Sequence, residues 1–390
     1  MKKIAVIGRG TAGVLAAAHF LHYSDCLVDF YFDHEIKPQA VGEGSNLVLP
    51  MRLHQTIDFN HEDLSKLDGS FKYGIKKTGW GNGKEFTHNF PPPNVGYHFN
   101  AIKLQDYIID KIKNHARLRI IETNITHDEI DSDFIMDCTG KPKNYEDFEI
   151  TQSIPVNSVY VTQCYWDYAK FQYTLTLARP YGWVFGIPLQ NRCSIGYLYN
   201  NAINDLDEIK EDVKHIFQEY GLNPSDHTNA FSFKNYYRKN NFNNRVAYNG
   251  NASFFLEPLE ATSISFMDAI NRMAFDTWID NLDYRISNQN YLKHIAEIEH
   301  MIMLHYFAGS VFDTEFWRFA QPRGRENITH ALSNNKFLEM VEYSKYNNPA
   351  LSAKEDFGTW WLGSFYQNLS NLDLYDKIYS LKKTTFRNHR

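Results

Sequence analysis

The chain has 390 residues, a formal net charge of −6 and a hydrophobic content of 43%. Its low combined Gly and Pro content argues against a fibrous or disordered chain, and its acidic balance argues against a dedicated nucleic-acid-binding protein. Four scattered cysteines fit neither a disulfide framework nor a zinc site. No apolar run reaches the roughly 18 residues of a transmembrane helix, and the N-terminus lacks a secretory signal pattern. We therefore expect a cytoplasmic protein (in the host cytoplasm, if a phage encodes it) with no membrane and no nucleic-acid partner.

The first third of the chain alternates strand and helix signals. A run of small residues at 14–19 predicts a helix that packs closely on a sheet, and apolar residues at helical spacing predict another helix near 104–112. Short apolar runs predict buried parallel strands at 4–7, 27–32, 118–121 and 134–136. This order predicts an α/β fold built on a Rossmann-like doubly wound sheet, interrupted by a long segment at about 45–100.

The pattern changes after residue 150. Short β-rich runs at 156–162, 173–177, 183–188 and 193–199 predict an inserted antiparallel sheet. From about residue 264 helical spacing dominates, including a stripe of Ile295, Ile298 and Ile302 with Glu297 on its polar side. We predict a discontinuous nucleotide-binding domain over 1–280, with the inserted substrate-side sheet at about 145–245, and a helical substrate-binding part over 281–390.

A dinucleotide fingerprint follows the first predicted strand. In the motif Gly8-x-Gly10-x-x-Gly13, the first glycine permits a tight turn, the second admits a pyrophosphate, and the third allows close helix–strand packing. The helix N-terminus, at Thr11 and Ala12, attracts phosphates. Asp33 ends the second strand, where a carboxylate can accept hydrogen bonds from ribose hydroxyls.

The fingerprint alone leaves FAD and NAD open. A second glycine-rich turn at 41–45 contains Glu43, and a third at 137–140 ends at Gly140. Three turns facing a ligand suit the larger FAD better than NAD, so we expect FAD.

Several segments together resemble flavin-dependent halogenases of the tryptophan-halogenase type. The first two of these segments are the glycine loop at 7–13 and the glycine-rich turn at 41–45. The others are Ser70-Phe-Lys72-Tyr-Gly-Ile-Lys76, Gly182-Trp183-Val-Phe185-Gly-Ile-Pro188 and Phe255-Leu-Glu257-Pro-Leu-Glu260-Ala-Thr262-Ser263. Their order and approximate spacing agree with the family as far as about residue 365. The chain is short for this family. The missing length falls between Lys72 and Gly140 and before Trp360, where the resemblance implies that substrate recognition is elaborated.

The resemblance implies a reaction and the residues that perform it. FADH2, oxygen and a halide ion (chloride, bromide or iodide) yield hypohalous acid, which then halogenates an electron-rich aromatic ring. Lys72 is the implied catalytic lysine that polarises the oxidant, and Glu260 is the implied catalytic glutamate. Thr262 and Ser263 lie at a predicted helix N-terminus, which suits an anion, although the family usually has Gly where Ser263 stands.

The resemblance also implies an aromatic wall and a ring-binding site. Trp183, Phe185 and Ile187 alternate and so share a strand face that shields the flavin; Phe185 replaces the second tryptophan of the family. The residues that resemble its ring-binding segments are His88, Phe90, Trp360 and Trp361. The stretch before Trp360 lacks the paired tyrosines that hold free tryptophan, so we expect a different small aromatic substrate.

Two alternatives remain open. A flavin monooxygenase would hydroxylate an aromatic compound without needing Lys72, and a non-catalytic FAD-binding protein would give no product. No second nucleotide fingerprint is evident, so the expected partner is a separate flavin reductase. The sequence predicts no metal site and leaves homo-oligomerisation open.

Overall fold

The structure is a computed structural model that describes residues 1–36, 42–349, 355–358 and 360–387. The helices of these residues are α1 (Thr11–Tyr23), α2 (Val48–Ile57), α3 (Ala101–Ile112), α4 (Leu206–Glu219), α5 (Thr262–Trp278), α6 (Tyr284–Ala308), α7 (Glu315–Ala331), α8 (Asn335–Asn347), α9 (Leu362–Asn371) and α10 (Leu374–Arg387). The strands are β1 (Lys3–Ile7), β2 (Leu27–Phe32), β3 (Ser70–Lys72), β4 (Gly74–Thr78), β5 (Phe86–Asn89), β6 (Gly96–His98), β7 (Leu118–Glu122), β8 (Phe134–Asp137), β9 (Phe148–Ile150), β10 (Ser158–Tyr165), β11 (Thr174–Arg179), β12 (Gly182–Pro188), β13 (Arg192–Tyr199), β14 (Pro224–Ser232), β15 (Tyr236–Arg238), β16 (Val246–Tyr248), β17 (Phe254–Phe255), β18 (Glu355–Phe357) and β19 (Trp360–Trp361).

The first compact unit comprises Met1–Gly69, Tyr97–Ile150 and Tyr236–Ile295. Its main sheet has the order β16-β8-β1-β2-β7, and every neighbouring pair is parallel. Ile4 and Val6 of β1 are fully buried, because the strands of a parallel sheet are covered on both faces. The predicted α/β doubly wound sheet is therefore confirmed.

The second compact unit comprises the described parts of Ser70–Gly96, Thr151–Asn235 and Ala296–Arg390. Its seven-stranded sheet has the order β14-β10-β13-β12-β11-β4-β5. The predicted antiparallel pairing is confirmed for the strands of the insertion, β10 to β14, whose four pairs are all antiparallel. β4, which lies outside the predicted insertion, joins β11 in parallel. β4 and β5 come from the segment at about 45–100, which the sequence pattern suggested was only an interruption. Strands so far apart in sequence pair only in the tertiary structure.

One face of this sheet packs on α4. Val184 of β12 and Ile195 of β13 lie in a buried cluster with Ile209, Val213 and Ile216 of the helix. Since successive side chains of a strand point to opposite faces, Trp183 and Phe185 face away from α4. β12 therefore contributes one face to this core, and Trp183 and Phe185 lie on its other face.

The helical region differs from its predicted pattern at Glu297. This residue was expected on the polar side of α6, but it is 2% exposed, and its Oε2 accepts the backbone N–H of Gly358 at 2.6 Å. The predicted boundaries at about 145–245 and 281 follow a different division from the two compact units, and as domain boundaries they stay a prediction. In the described residues, no helix has both the length and the apolarity that crossing a membrane requires.

Candidate active site

The glycine turn between β1 and α1 has the geometry that its motif predicts. Gly8 has φ +100°, and its N–H donates to the Tyr31 carbonyl at 2.8 Å. A Cβ on Gly13 would lie 1.7 Å from the Gly8 carbonyl oxygen, so only glycine fits there. A Cβ on Gly10 would meet nothing within 4 Å. The open space lies where the motif expects a phosphate group, beside the N–H groups of the first helical turn.

Two further turns belong to the same unit. Glu43 is buried, and its carbonyl accepts the Phe99 N–H at 2.9 Å. Gly140 has φ +97° with open space around its Cβ direction. Asp33 is half-buried, and its Oδ1 accepts the Glu35 N–H at 2.9 Å. Val41, the first residue of the predicted second turn, lies outside the described residues.

The carboxylate before Gly140 is held inside the protein. Asp137 accepts hydrogen bonds from the backbone and hydroxyl of Thr139 at 2.9 and 2.7 Å, and it lies 2.8 Å from His127 Nε2. Burial raises the pKa of Asp137, but the bonds from His127 and Thr139 outweigh it, so the pKa lies below its usual value. Asp137 thereby fixes the turn that ends at the half-buried Gly140.

The sequence reasoning missed a residue pair that contacts the glycine loop. A Cβ on Gly250 would lie 2.8 Å from the Ala12 Cβ, so this backbone packs directly on the start of α1. The neighbouring Asn249 side chain donates to the Met267 carbonyl at 3.0 Å and to Asn271 at 2.8 Å. The pair therefore joins α1 to α5. Its only sequence signal was an Asn-Gly turn after a strand.

The predicted halide segment has an unusual backbone. Glu260 and Ala261 have φ of 69° and 56°, which is the left-handed region, and α5 begins immediately afterwards at Thr262. A left-handed residue followed by a right-handed one turns successive N–H groups to the same side and makes an anion-binding concavity. Thr262 is buried, while Glu260 and Ser263 are half-buried.

The predicted catalytic lysine lies at the end of β3 in the second unit. Lys72 is fully buried, and its ammonium lies 5.6 Å from the centre of the Phe90 ring. The preceding Ser70 hydroxyl donates to the Pro188 carbonyl at 2.5 Å, which ties β3 to the strand that carries Trp183. A Cβ on Gly74 would meet the His88 carbonyl at 2.3 Å. The glycine two residues after Lys72 is therefore required for β4 to approach β5.

The structure brings His88 and Phe90 together with Lys72. The His88 and Phe90 rings pack edge to face with their centres 5.8 Å apart, and both residues are buried. The Phe90 N–H donates to the Tyr73 carbonyl at 2.9 Å, directly after the lysine. A cation held over the face of an aromatic ring, as Lys72 is over Phe90, is stabilised by the ring quadrupole.

Trp183 and Phe185 lie on the same face of β12, as the alternation predicts. Their ring centres are 6.3 Å apart. The Trp183 Nε1 is buried and has no hydrogen-bond partner among the described residues. A Cβ on Gly196 would lie 2.1 Å from the Phe185 ring, so the ring lies directly over the neighbouring strand.

The structure separates Trp360 from Trp361. Trp360 is 3% exposed, and its ring packs edge to face against His305 with the centres 6.0 Å apart. Trp361 is half-buried and directly precedes α9. Successive strand residues face opposite sides, so the two rings do not form one wall. Residues 351–354, where the sequence lacks the paired tyrosines, lie outside the described residues.

A cavity of about 640 Å³ lies elsewhere in the second unit. It is lined by Phe307, Gln321, Pro322, Arg325, Asp376, Lys377, Ser380 and Leu381. This lining contains none of the predicted substrate residues. We therefore place the candidate site at the buried Lys72 cluster and not at this cavity.

Comparison with known proteins identifies the family of this chain. The model of the tryptophan halogenase family matches residues 3–130 and 118–348. The chain belongs to this family. The 7-chloro-L-tryptophan 6-halogenase of Kutzneria sp. (strain 744) is 24% identical over 257 residues, which are 58% of this chain and 49% of that protein. The tryptophan 7-halogenase of Lentzea aerocolonigenes is 21% identical over 257 residues, 58% of this chain and 48% of that protein.

Solved halogenase structures have the same fold. A flavin-dependent halogenase from Xanthomonas campestris has a TM-score of 0.71 and 21% identity, covering 82% of this chain and 80% of its own. A tryptophan halogenase from Shewanella frigidimarina has a TM-score of 0.74 and 18% identity, covering 100% and 94%. The chain spans about half the length of the curated relatives that it matches in sequence. The predicted membership of the flavin-dependent halogenase family is confirmed.

Proposed function

We propose that this chain is a flavin-dependent halogenase that uses FADH2, oxygen and a halide to halogenate a small electron-rich aromatic compound. The observation that carries the proposal is the Lys72 cluster. A fully buried ammonium lies against Phe90, which packs on His88, inside a segment that resembles the catalytic-lysine segment of the family. Family membership supports the reaction class, and the geometry supports these residues as its site.

Lys72 is suited to act on hypohalous acid. An ammonium donates a hydrogen bond to the oxygen of this acid, which makes the halogen more electrophilic. As the oxygen–halogen bond breaks and the carbon–halogen bond forms, a proton from the ammonium converts the departing hydroxide to water. In a site without bulk water this donation is far stronger than at a surface. The rings of His88 and Phe90 offer faces on which an aromatic substrate can pack close to the halogen.

Glu260 and the start of α5 supply the other functions. The Glu260 carboxylate can accept the proton that the substrate ring loses when the carbon–halogen bond has formed. The N–H groups at Thr262 and Ser263, after the two left-handed residues, suit a chloride, bromide or iodide ion.

The three glycine-rich turns fit a dinucleotide cofactor, which we propose to be FAD. Gly10 and Gly140 leave open space where a Cβ would otherwise stand, and Thr11 to Gly13 present helix N–H groups to a phosphate. When bound and reduced, the flavin supplies the electrons that let oxygen oxidise the halide. A separate reductase supplies the reduced flavin, and a homo-oligomer is compatible with this arrangement.

The proposed substrate is a phenol, an indole or a related heteroaromatic, and not tryptophan as the dedicated substrate. The named relatives act on tryptophan or chlorotryptophan, but the segment before Trp360 has no paired tyrosines. Phe185 in place of a second tryptophan keeps hydroxylation as the alternative reaction, since a smaller ring shields the flavin less.

The test is a product assay. Wild type, Lys72→Ala and Lys76→Ala are incubated with FAD, a flavin reductase, NADH, each halide in turn and a panel of phenols, indoles and tryptophan, with mass spectrometry as the readout. Lys76 is the matched control because it is on the neighbouring strand in a salt bridge with Glu85 at 2.7 Å.

We expect halogenated product from wild type and Lys76→Ala, and at least about 100-fold less from Lys72→Ala. FAD titration of each variant checks that the cofactor site is intact. Hydroxylated product that persists in Lys72→Ala would establish the monooxygenase instead. No halogenated product in any combination would refute the proposal.

A further inference from the structure

A second lysine is fully buried near the Lys72 cluster. Lys77 Nζ lies 2.6 Å from His305 Nε2 and donates to Asn368 Oδ1, and all three residues are fully buried. His305 Nδ1 lies 3.0 Å from the Met301 carbonyl. A carbonyl only accepts, so Nδ1 carries the ring proton and Nε2 accepts from the ammonium.

This triad joins three separate elements of the second unit. Lys77 lies on β4 opposite Phe86 of β5, and its neighbour on the same face, Ile75, lies opposite His88. His305 lies on α6 and Asn368 on α9. The ammonium therefore connects the hairpin that carries the predicted ring-binding residues to two helices.

A second residue of α9, Gln367, also binds the β4–β5 hairpin. Gln367 accepts the Asn89 N–H at 2.9 Å and donates to the Asn89 carbonyl at 3.0 Å, so its amide pairs with the β5 backbone in both directions. Asn89 lies between His88 and Phe90. Gln367 thus holds α9 against the backbone between His88 and Phe90. Asn368 of the same helix binds the Lys77 ammonium.

The Trp360 segment is also held from α6. The His305 ring packs edge to face against two tryptophans, with ring centres 5.5 Å from Trp80 and 6.0 Å from Trp360. Two turns earlier on the same helix, Glu297 accepts the Gly358 N–H. The bonds of its two nitrogens hold the His305 ring in one orientation, and Trp360 packs against this ring.

We propose that Lys77 and His305 are positioning residues that set the spacing between β5 and Trp360, and so determine which aromatic rings the substrate site accepts. This inference rests on the proposed function. Burying a charge is costly, and apolar packing would fill the same space more cheaply. The hydrogen bonds of the buried Lys77 ammonium are directional, however, and specify one geometry where apolar side chains would permit several.

The structural part of the inference is tested by ¹⁹F NMR of protein labelled with 5-fluorotryptophan. The chain has seven tryptophans, and Trp360→Phe and Trp80→Phe assign the two relevant signals. We expect Lys77→Met to move both signals. The matched control, Lys76→Met, changes the adjacent lysine on the opposite face of β4 and should move neither. Trp360 and Trp80 signals that stay in place in Lys77→Met would overturn the inference.

The selectivity part is tested by competition between a one-ring and a three-ring probe, phenol and carbazole. We expect Lys77→Met to change the ratio of their kcat/KM values by about tenfold, mainly through KM. A ratio within about twofold of wild type would overturn the selectivity claim. If wild type halogenates nothing, the proposed function fails, and the NMR result still decides separately whether Lys77 positions Trp360.

A second variant guards against loss of folding. His305→Gln keeps an acceptor for the Lys77 ammonium but removes the imidazole ring that packs against Trp360. It should keep the stability of wild type more closely than Lys77→Met and should still move the Trp360 signal. An unmoved Trp360 signal in a folded His305→Gln would also count against the inference.

Discussion

Replacing His19 should remove much of the acid sensitivity of the first unit. His19 lies on α1, is 4% exposed, and has no hydrogen-bond partner for either ring nitrogen among the described residues. Burial, with smaller contributions from the Arg52 and Arg272 cations, lowers its pKa from 6.5 to about 3. Folded protein therefore holds this ring neutral at a pH where the unfolded chain binds a proton.

The sign and size of the effect follow from this pKa difference. The folded-state pKa is depressed, so the contribution to stability is fully present above pH 6.5, falls as the pH drops, and is exhausted near the folded pKa of about 3. Each pH unit in that window costs about 1.4 kcal/mol. Between pH 7.5 and 5.0 the free energy of unfolding should fall by about 2 kcal/mol because of His19 alone.

The assay is urea unfolding of wild type and His19→Met at pH 7.5 and 5.0. His19→Met should lose about 2 kcal/mol less than wild type over this interval, since it removes the titrating group while keeping a buried side chain of similar volume. His22 is exposed on the same helix, so His22→Met is the control and should keep the wild-type pH dependence. If His19→Met loses as much stability as wild type, the ring is not held neutral and the reasoning is wrong.

Three further substitutions test the cofactor and halide segments. Gly13→Ala should prevent folding of the first unit, seen as lost soluble yield, because its Cβ would lie 1.7 Å from the Gly8 carbonyl. Gly10→Ala should instead keep wild-type stability and weaken FAD binding at least about tenfold, measured by flavin fluorescence, because its Cβ enters the open space beside α1; unchanged affinity would contradict the cofactor position. Ala261→Gly should raise the free energy of unfolding by up to about 1.6 kcal/mol, because a left-handed alanine costs roughly 1–2 kcal/mol and the added flexibility of unfolded glycine offsets about 0.4–1 kcal/mol. Denaturation that shows Ala261→Gly less stable than wild type would argue against strain at this position.

The cofactor side of the site could be predicted from sequence because its chemistry is local. Gly8, Gly10 and Gly13 are close in sequence, and each has the conformation or the space that its place in the motif requires. The same is true of Gly74, which the lysine motif contains and the approach of β4 to β5 demands. The residues of such a motif are therefore enough to predict its local backbone geometry.

For the aromatic residues of the candidate site, the sequence predicted which residues belong to it but not how they are arranged. The sequence indicated Trp360 and Trp361 as a pair, but strand alternation places one ring in the interior and leaves the other half-buried. The pattern also put Glu297 on a polar face, whereas it binds the turn before Trp360. Helical spacing shows which residues share a face and cannot show what packs against that face.

The sequence by itself determined the α/β class, the glycine turns, the family resemblance and the segments that carry Lys72 and Glu260. Only the tertiary structure decided that β4 joins β11 in parallel, and that Lys77 meets His305 and Asn368, which lie 228 and 291 residues away along the chain. The reason is physical. Turns and strands are selected by neighbouring residues, but a buried polar contact between distant segments forms only where the folded chain brings donor and acceptor together.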